Sequence, residues 1–202
     1  MTICLLLLTL GMIFTPITVK ANDNLNKSEL PTAGFISFVS DINEFIEPPK
    51  TNDYSIVGHS GKKTFMGYKT ITDKTSQQYA LQQIAYTDSE GFRKVDGRYC
   101  VAIGTAFGVY TGQLFDAELE NGTIIECVVG EIKDDYDTDS TNVFTTNGCC
   151  LEFIVDINKL YGTMSMKMGD CSYRCKEWDS PCSQFKIYNL NYFEKGEEWW
   201  YG

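Results

Sequence analysis

From Lys62 onward, short apolar runs alternate with turn residues at close spacing. The segments KKTFMGYKTIT, QYALQQIAYTD, RYCVAIGTA, QLFDAELE, TIIECVVG, CLEFIVD and QFKIYNLNYF are rich in β-branched and aromatic residues. Such side chains fit a pleated, half-buried surface, so each segment predicts a strand. Turn signals at Asp88-Ser89-Glu90-Gly91, Asp96-Gly97, Asn121-Gly122 and Asn147-Gly148 separate them. Asn121-Gly122 lies between two alternating runs and predicts a type I′ hairpin, whose two central residues both need positive φ. No helical period longer than three turns follows residue 62. The pattern predicts an all-β domain over 62–195 with minor helix, arranged as a small closed barrel.

The chain before residue 62 reads differently. Residues 22–61 are polar, with one apolar island, GFISFVSDINEFIE, that stops at Pro48-Pro49. Phe38, Ile42, Phe45 and Ile46 have helical spacing, so this arm predicts a linker with one short helix. Ile3–Phe14 is an apolar run of twelve residues, too short to span a bilayer. Val19-Lys20-Ala21 follows as a small-x-small cleavage site, which predicts a signal peptide over 1–21 rather than an uncleaved anchor. Cys4 has no lipobox context, so no lipid anchor is expected. The protein is expected to be secreted, with no membrane attachment after cleavage. At the other end, Trp199, Trp200 and Tyr201 belong to an aromatic tail over 196–202 that can stack on sugar rings or dock onto the domain.

A net charge of −10 argues against nucleic-acid backbones and anionic lipid, both of which need clustered Lys and Arg. The chemistry narrows further. His59, in Gly58-His59-Ser60-Gly61, is the single histidine, and Gly-x-Ser-x-Gly and phosphate-cradling motifs are missing. Cys-His and Ser-His mechanisms are thereby set aside. Removal of Cys4 with the leader leaves seven of the eight cysteines. Cys171, Cys175 and Cys182 have no histidine among them, so in an oxidising compartment they read as disulfide formers rather than a zinc cluster. A bridge inside 171–182 is expected, with one odd thiol left over or paired to another molecule. Cys149 and Cys150 are adjacent and are not expected to share a partner.

Carboxylates remain. Asp134, Asp135, Asp137 and Asp139 put four like charges within six residues. Three readings stay open. The loop is a solvated acidic turn, or Asp135, Asp137, Asp139 and Thr141 offer alternating oxygen ligands to Ca²⁺. The third reading is acid catalysis, which needs one carboxyl kept protonated beside another that is ionised. Asp156, at the end of the apolar run LEFIVD, is the candidate acid, with Asp134, Asp139 or Glu131 as its partner. Asp156 reads equally as a turn or N-cap residue, and Glu152 on the same run as a solvent-facing one.

The order VAIGTAF, then G-x-x-F-x-x-x-L-x-x-G-x-x-I-x-x-x-V-x-G, then an Asp-rich loop, then EFIVD resembles double-psi β-barrels. That group includes three-aspartate domains of bacterial wall enzymes, lytic transglycosylase barrels, rare lipoprotein A and barwin-like proteins. The likeness covers roughly residues 95–160 by spacing. It implies a six-stranded double-psi barrel with site carboxylates at Glu131 or Asp134 and at Asp156. The Asp-Thr-Gly-Gly turn of the three-aspartate domains is absent. The segment from Lys62 also resembles secreted proteins of gut Firmicutes and their phages. Two functions follow as expectations. One is a lytic-transglycosylase-like or glycosidase-like protein acting on cell-wall glycan or another polysaccharide. The other is a non-catalytic glycan- or partner-binding module.

Overall fold

A computed structural model describes residues 49–57, 61–162, 169–174 and 176–194. The signal-peptide and helix readings before residue 49, His59, Cys175 and the aromatic tail fall outside the described residues. Nine strands form: β1 (Thr51–Ser55), β2 (Thr64–Gly67), β3 (Tyr86–Thr87), β4 (Arg93–Val95), β5 (Arg98–Ile103), β6 (Gln113–Leu119), β7 (Ile124–Ile132), β8 (Glu152–Val155) and β9 (Cys182–Asn191). Among the described residues one α-helix, α1 (Gln77–Ile84), accompanies them. No described helix is long and apolar enough to cross a membrane.

The sheet is open and mixed, not a closed six-stranded barrel. Its order is β1-β9-β6-β7-β5-β4-β3, with β2 and β8 branching off. The branch explains why closure fails. β5 pairs in parallel with β7 along one side. Its other side is divided, with Tyr99 and Arg98 paired to β4 and Val101 and Ala102 paired to β8. A strand shared in this way splits the sheet into two diverging edges rather than leading them round to meet. β1 adds a further edge on β9, from Thr51↔Tyr188 to Ser55↔Gln184. The sequence TNDYS has no apolar alternation, and this strand, which lies within the expected linker, is held by backbone pairing and by Tyr54, which meets Phe107 edge-on.

Local turn chemistry departs from the sequence pattern in two places. Asp96 and Gly97 both have positive φ, at 48° and 83°, and close the β4–β5 hairpin as a type I′ turn. At Asn121-Gly122 only Gly122 is left-handed (φ 82°). There the Leu119 carbonyl accepts from Gly122 N at 2.8 Å, and Asn121 Oδ1 accepts from Thr123 N at 3.0 Å. The hairpin forms with a longer connection because Asn121 spends its side chain on the turn. The second departure is QYALQQI, which is helical rather than extended. The Ser76 hydroxyl accepts from Tyr79 N at 3.1 Å as an N-cap, and Ala, Leu and Gln favour the helix it starts.

Both faces of the sheet are covered. On one, Leu81 of α1, Ala85 just beyond its end and Ile71 pack on Val95, Cys100, Val128 and Ile154. Gly130 on β7 lies beneath them, where a Cβ would stand 2.5 Å from Ile154 Cδ1 and displace that side chain. The opposite face carries the larger core, where Phe153 stacks on Trp178 with centroids 4.9 Å apart at 3° and Phe92 meets both edge-on. Each such pair adds about 0.5–1.5 kcal/mol beyond its burial. Lys63 is enclosed at 1% exposure.

Candidate functional site

The acidic loop is organised by its own backbone. Asp134 caps a short 3-10 turn, accepting from Tyr136 N at 3.0 Å, and Asp135 accepts from the Thr105 hydroxyl at 2.6 Å. Asp139 Oδ1 accepts from the Thr141 hydroxyl at 2.7 Å and faces the amides of Thr141, Val143 and Phe144 at 3.3–3.4 Å. The Thr141 hydroxyl and these amides hold the Asp139 carboxyl below the usual range. A group so held is ionised and is no proton donor near neutral pH. Asp137 is exposed. The alternating series Asp135, Asp137, Asp139 and Thr141 does not converge. Among the described residues, no three His, Cys, Asp or Glu side chains gather as metal ligands. A close backbone approach anchors the loop to the sheet, since a Cβ on Gly104 would lie 1.9 Å from Asn142 O.

Asp156 stands elsewhere. Ala102 on β5 is flanked by Glu131 of β7 and by Glu152 of β8, so the loop leaves the sheet at the start of β8. Asp156 follows the far end of β8, where its amide donates to Gly91 O at 2.8 Å. Four residue steps lead from Glu152 to Asp156, about 13 Å at strand rise. Paired glycosidase carboxyls lie about 5–10 Å apart. The fold therefore brings Asp134, Asp139 and Glu131 to one end of β8 and Asp156 to the other. Asp156 Oδ1 accepts from Asn158 N at 3.1 Å, which is its turn role. Glu131 accepts from Ile132 N at 3.0 Å and from Gln78 at 3.5 Å. Glu152 pairs with Lys133 and accepts from the Thr64 hydroxyl at 3.3 Å, so it faces neighbours rather than solvent.

Two concavities lie away from these residues. The first, about 420 Å³, sits where β2 runs through a 3-10 turn into α1 and is lined by Tyr68, Lys69, Lys74, Tyr79, Gln82 and Gln83 among others. Tyr68 is backed by the Arg93 guanidinium, centred 4.5 Å from the ring. Arg93 is 8% exposed, and each of its three guanidinium nitrogens has a partner. Nε reaches Gln82 Oε1 at 3.2 Å, Nη1 the Thr87 hydroxyl at 2.8 Å, and Nη2 the Gln82 carbonyl. No carboxylate among the described residues meets it, so its charge adds to those of Lys69 and Lys74. Nearby, Asp73 turns away to the Thr75 hydroxyl at 2.7 Å. This corner is a positive spot on an acidic protein.

The second concavity, about 460 Å³, is lined by Gly97, Tyr99, Asp116, Ile124, Ile125, Glu126 and Trp178. Asp116 and Glu126 are directly opposed across β6 and β7. Asp116 is fully engaged, with Arg98 Nη1 at 2.8 Å and the Tyr188 hydroxyl at 2.5 Å. Burial, together with the Asp116 charge, pushes the Tyr188 hydroxyl up to about 12. Trp178 contributes an edge, since Phe153 covers one of its faces. The network ties β5, β6 and β9 together.

No protein-family model matches the chain, and no curated protein matches it. Sequence reasoning missed both concavities. Tyr68, Lys69, Tyr79 and Gln82 lie in segments that read as strands. The helix that places Tyr79 and Gln82 was signalled by Ser76 and the residues after it.

Proposed function

We propose that the chain is an exported, non-catalytic glycan-binding module that takes an anionic cell-wall polysaccharide at the α1 corner. The carrying observation is the 420 Å³ concavity itself, where two tyrosines, two lysines and two glutamine amides line one wall-to-wall surface. Tyrosine faces suit the apolar faces of sugar rings, amides suit hydroxyls, and ammonium groups suit the carboxylates that wall glycan carries. No Asp or Glu lines this concavity, so it lacks the carboxyl pair that glycoside cleavage uses. The test is sedimentation with purified peptidoglycan sacculi. Binding that weakens at least tenfold in Tyr68→Ala/Tyr79→Ala supports the reading. Absence of binding by the folded protein, or no change in the variant, overturns it.

A catalytic reading keeps one observation in its favour: Asp116 and Glu126 face each other in the second concavity. Muropeptide release that is lost in Glu126→Gln would establish it over the binding reading.

A further inference from the structure

Cys171, expected in a bridge inside 171–182, is buried and in no disulfide in this structure. Accessible chemistry lies instead in the second concavity. β7 starts at Ile124, yet its pairing with β5 begins only at Tyr99↔Cys127. Ile124, Ile125 and Glu126 therefore border a notch beside the Asp96-Gly97 turn, and the space of about 460 Å³ opens there with Tyr99, Asp116 and Trp178.

The two carboxylates of the notch differ. Asp116 is spent, since Oδ1 accepts from Arg98 Nη1 at 2.8 Å and Oδ2 from the Tyr188 hydroxyl at 2.5 Å. Arg98 Nη1 also reaches Phe115 O at 3.1 Å, and the guanidinium centre stands 5.6 Å from the Tyr188 ring. Arg98 is thereby drawn towards β6 and β9, which leaves its Nη2 3.9 Å from Glu126 Oε1, beyond hydrogen-bond reach. The Glu126 side chain is 66% exposed. No Lys or Arg lines the notch. Lys94 pairs with Asp88 at 3.3 Å, and Arg174 pairs with Glu90. Lys186 stands across β6 from Glu126, between Asp116 on one side and Asp53 on the other. Glu118, directly opposite Ile124, is exposed and adds a second negative charge. Glu126 is left without a hydrogen-bonded cation among the described residues.

We propose that this notch binds a primary alkylammonium group, such as a lysine side chain, with its ammonium on Glu126 and its methylenes along Ile124, Tyr99 and Trp178. The site is separate from the α1 corner and selects the opposite charge. Charge complementarity names the guest. The chain carries −10, and Glu118 and Glu126 border the notch, so cations concentrate there. An exposed ion pair holds little by itself. The rest comes from the walls. Ile124 is exposed on the same side of β7 as Glu126, and burying a methylene stem against it removes apolar surface of both from water. Lys94 already lies over the Tyr99 ring, and Phe153 covers one face of Trp178, so these rings act as apolar walls rather than cation–π platforms. A stem of several methylenes should therefore bind better than a bare ammonium ion.

The test is titration of the full chain with Nα-acetyl-lysine amide, followed in nitrogen–proton correlation spectra. Saturable shifts are expected at the Gly97, Ile125 and Glu126 amides and at the Trp178 indole. The neutral analogue, acetylated on both amines, should bind at least about fivefold more weakly, and Glu126→Gln should weaken the cationic ligand to the same extent. Ile124→Ser, a change at an exposed position, should lower affinity while keeping its salt dependence, because the charge remains. The proposal is overturned by folded wild type that shows no saturable shift, or shifts only away from the notch. Equal affinity for the neutral analogue overturns it too, as does unchanged affinity in Glu126→Gln or Ile124→Ser.

Discussion

Lys63 Nζ lies 2.7 Å from the carbonyl oxygen of Trp178, 115 residues further along the chain. The same ammonium reaches Gly61 O and Ser180 O at 2.8 Å each, so all three of its donors are used. This makes a charged residue the pin that holds the 3-10 segment Lys176–Trp178 over the larger core. Trp178 in turn presses on Phe153 and Phe92, which links the pin to the centre of the sheet.

Lys63→Met should destabilise the domain by about 3–5 kcal/mol, because two buried carbonyls and one part-buried carbonyl lose their donor while the hydrophobic stem is kept. Urea unfolding by tryptophan fluorescence measures it. The pH dependence has a definite sign. Burial pulls the Lys63 ammonium below its ordinary range. The unfolded chain therefore binds more protons than the folded one between the folded value and about 10.4, and this group's contribution grows as pH rises through that window. The rise should vanish in Lys63→Met.

Tyr188→Phe should cost about 1 kcal/mol, the net worth of one hydrogen bond to a carboxylate that keeps its Arg98 partner. The wild-type hydroxyl is raised to about 12, by burial first and then by Asp116. A raised acid stabilises the fold in its protonated state. That contribution is complete below the unfolded tyrosine value of about 10 and is lost as pH climbs towards 12. Alkaline unfolding of wild type and Tyr188→Phe should therefore converge across that interval, and equal curves throughout would assign Tyr188 no part in it.

The strands were legible because their code is local. RYCVAI, QLFDAEL, IIECVVGEI and EFIV alternate or run apolar, and each is a strand close to its expected place. Closure was not legible. Whether β5 shares one side with both β4 and β8 depends on pairings between residues about fifty positions apart, such as Val101 with Phe153, and periodicity carries no such information. The acidic loop attracted attention because like charges cluster there, yet Asp139 is spent on its own turn. Arg93 drew none, although its role depends on Gln82 and Tyr68 meeting it in space.

Millimolar Ca²⁺, compared with chelator, should leave the melting temperature unchanged within a degree. Ca²⁺ needs six or more oxygens, and here Asp135 serves Thr105 while Asp139 serves the loop amides. A site filled at a hundred times its dissociation constant would add about 2.7 kcal/mol, a shift that calorimetry resolves easily.

Asp156→Asn should change stability by less than about 0.5 kcal/mol, as a surface turn substitution does, because the amide oxygen can still accept from Asn158 N. Sacculus binding should also be unaltered. A large loss of muropeptide release in this variant would return Asp156 to a catalytic role.

Arg93→Met should reduce both stability and glycan binding, and Arg93→Lys should fall between it and wild type. The guanidinium makes three separate contacts on Gln82 and Thr87 while its centre stands 4.5 Å from the Tyr68 ring. Methionine keeps the stem and removes every donor, leaving Gln82 Oε1 and its carbonyl unpaired at about 1–3 kcal/mol for each buried acceptor. Lysine restores the charge but not the planar fork. If charge alone matters to the ligand, Arg93→Lys binds as wild type does. If the guanidinium acts by holding the Tyr68 ring in place, Arg93→Lys loses affinity even where its folded fraction is complete. Sedimentation with sacculi at two salt concentrations separates the two, since loss of a charge lowers the salt dependence and loss of ring placement does not.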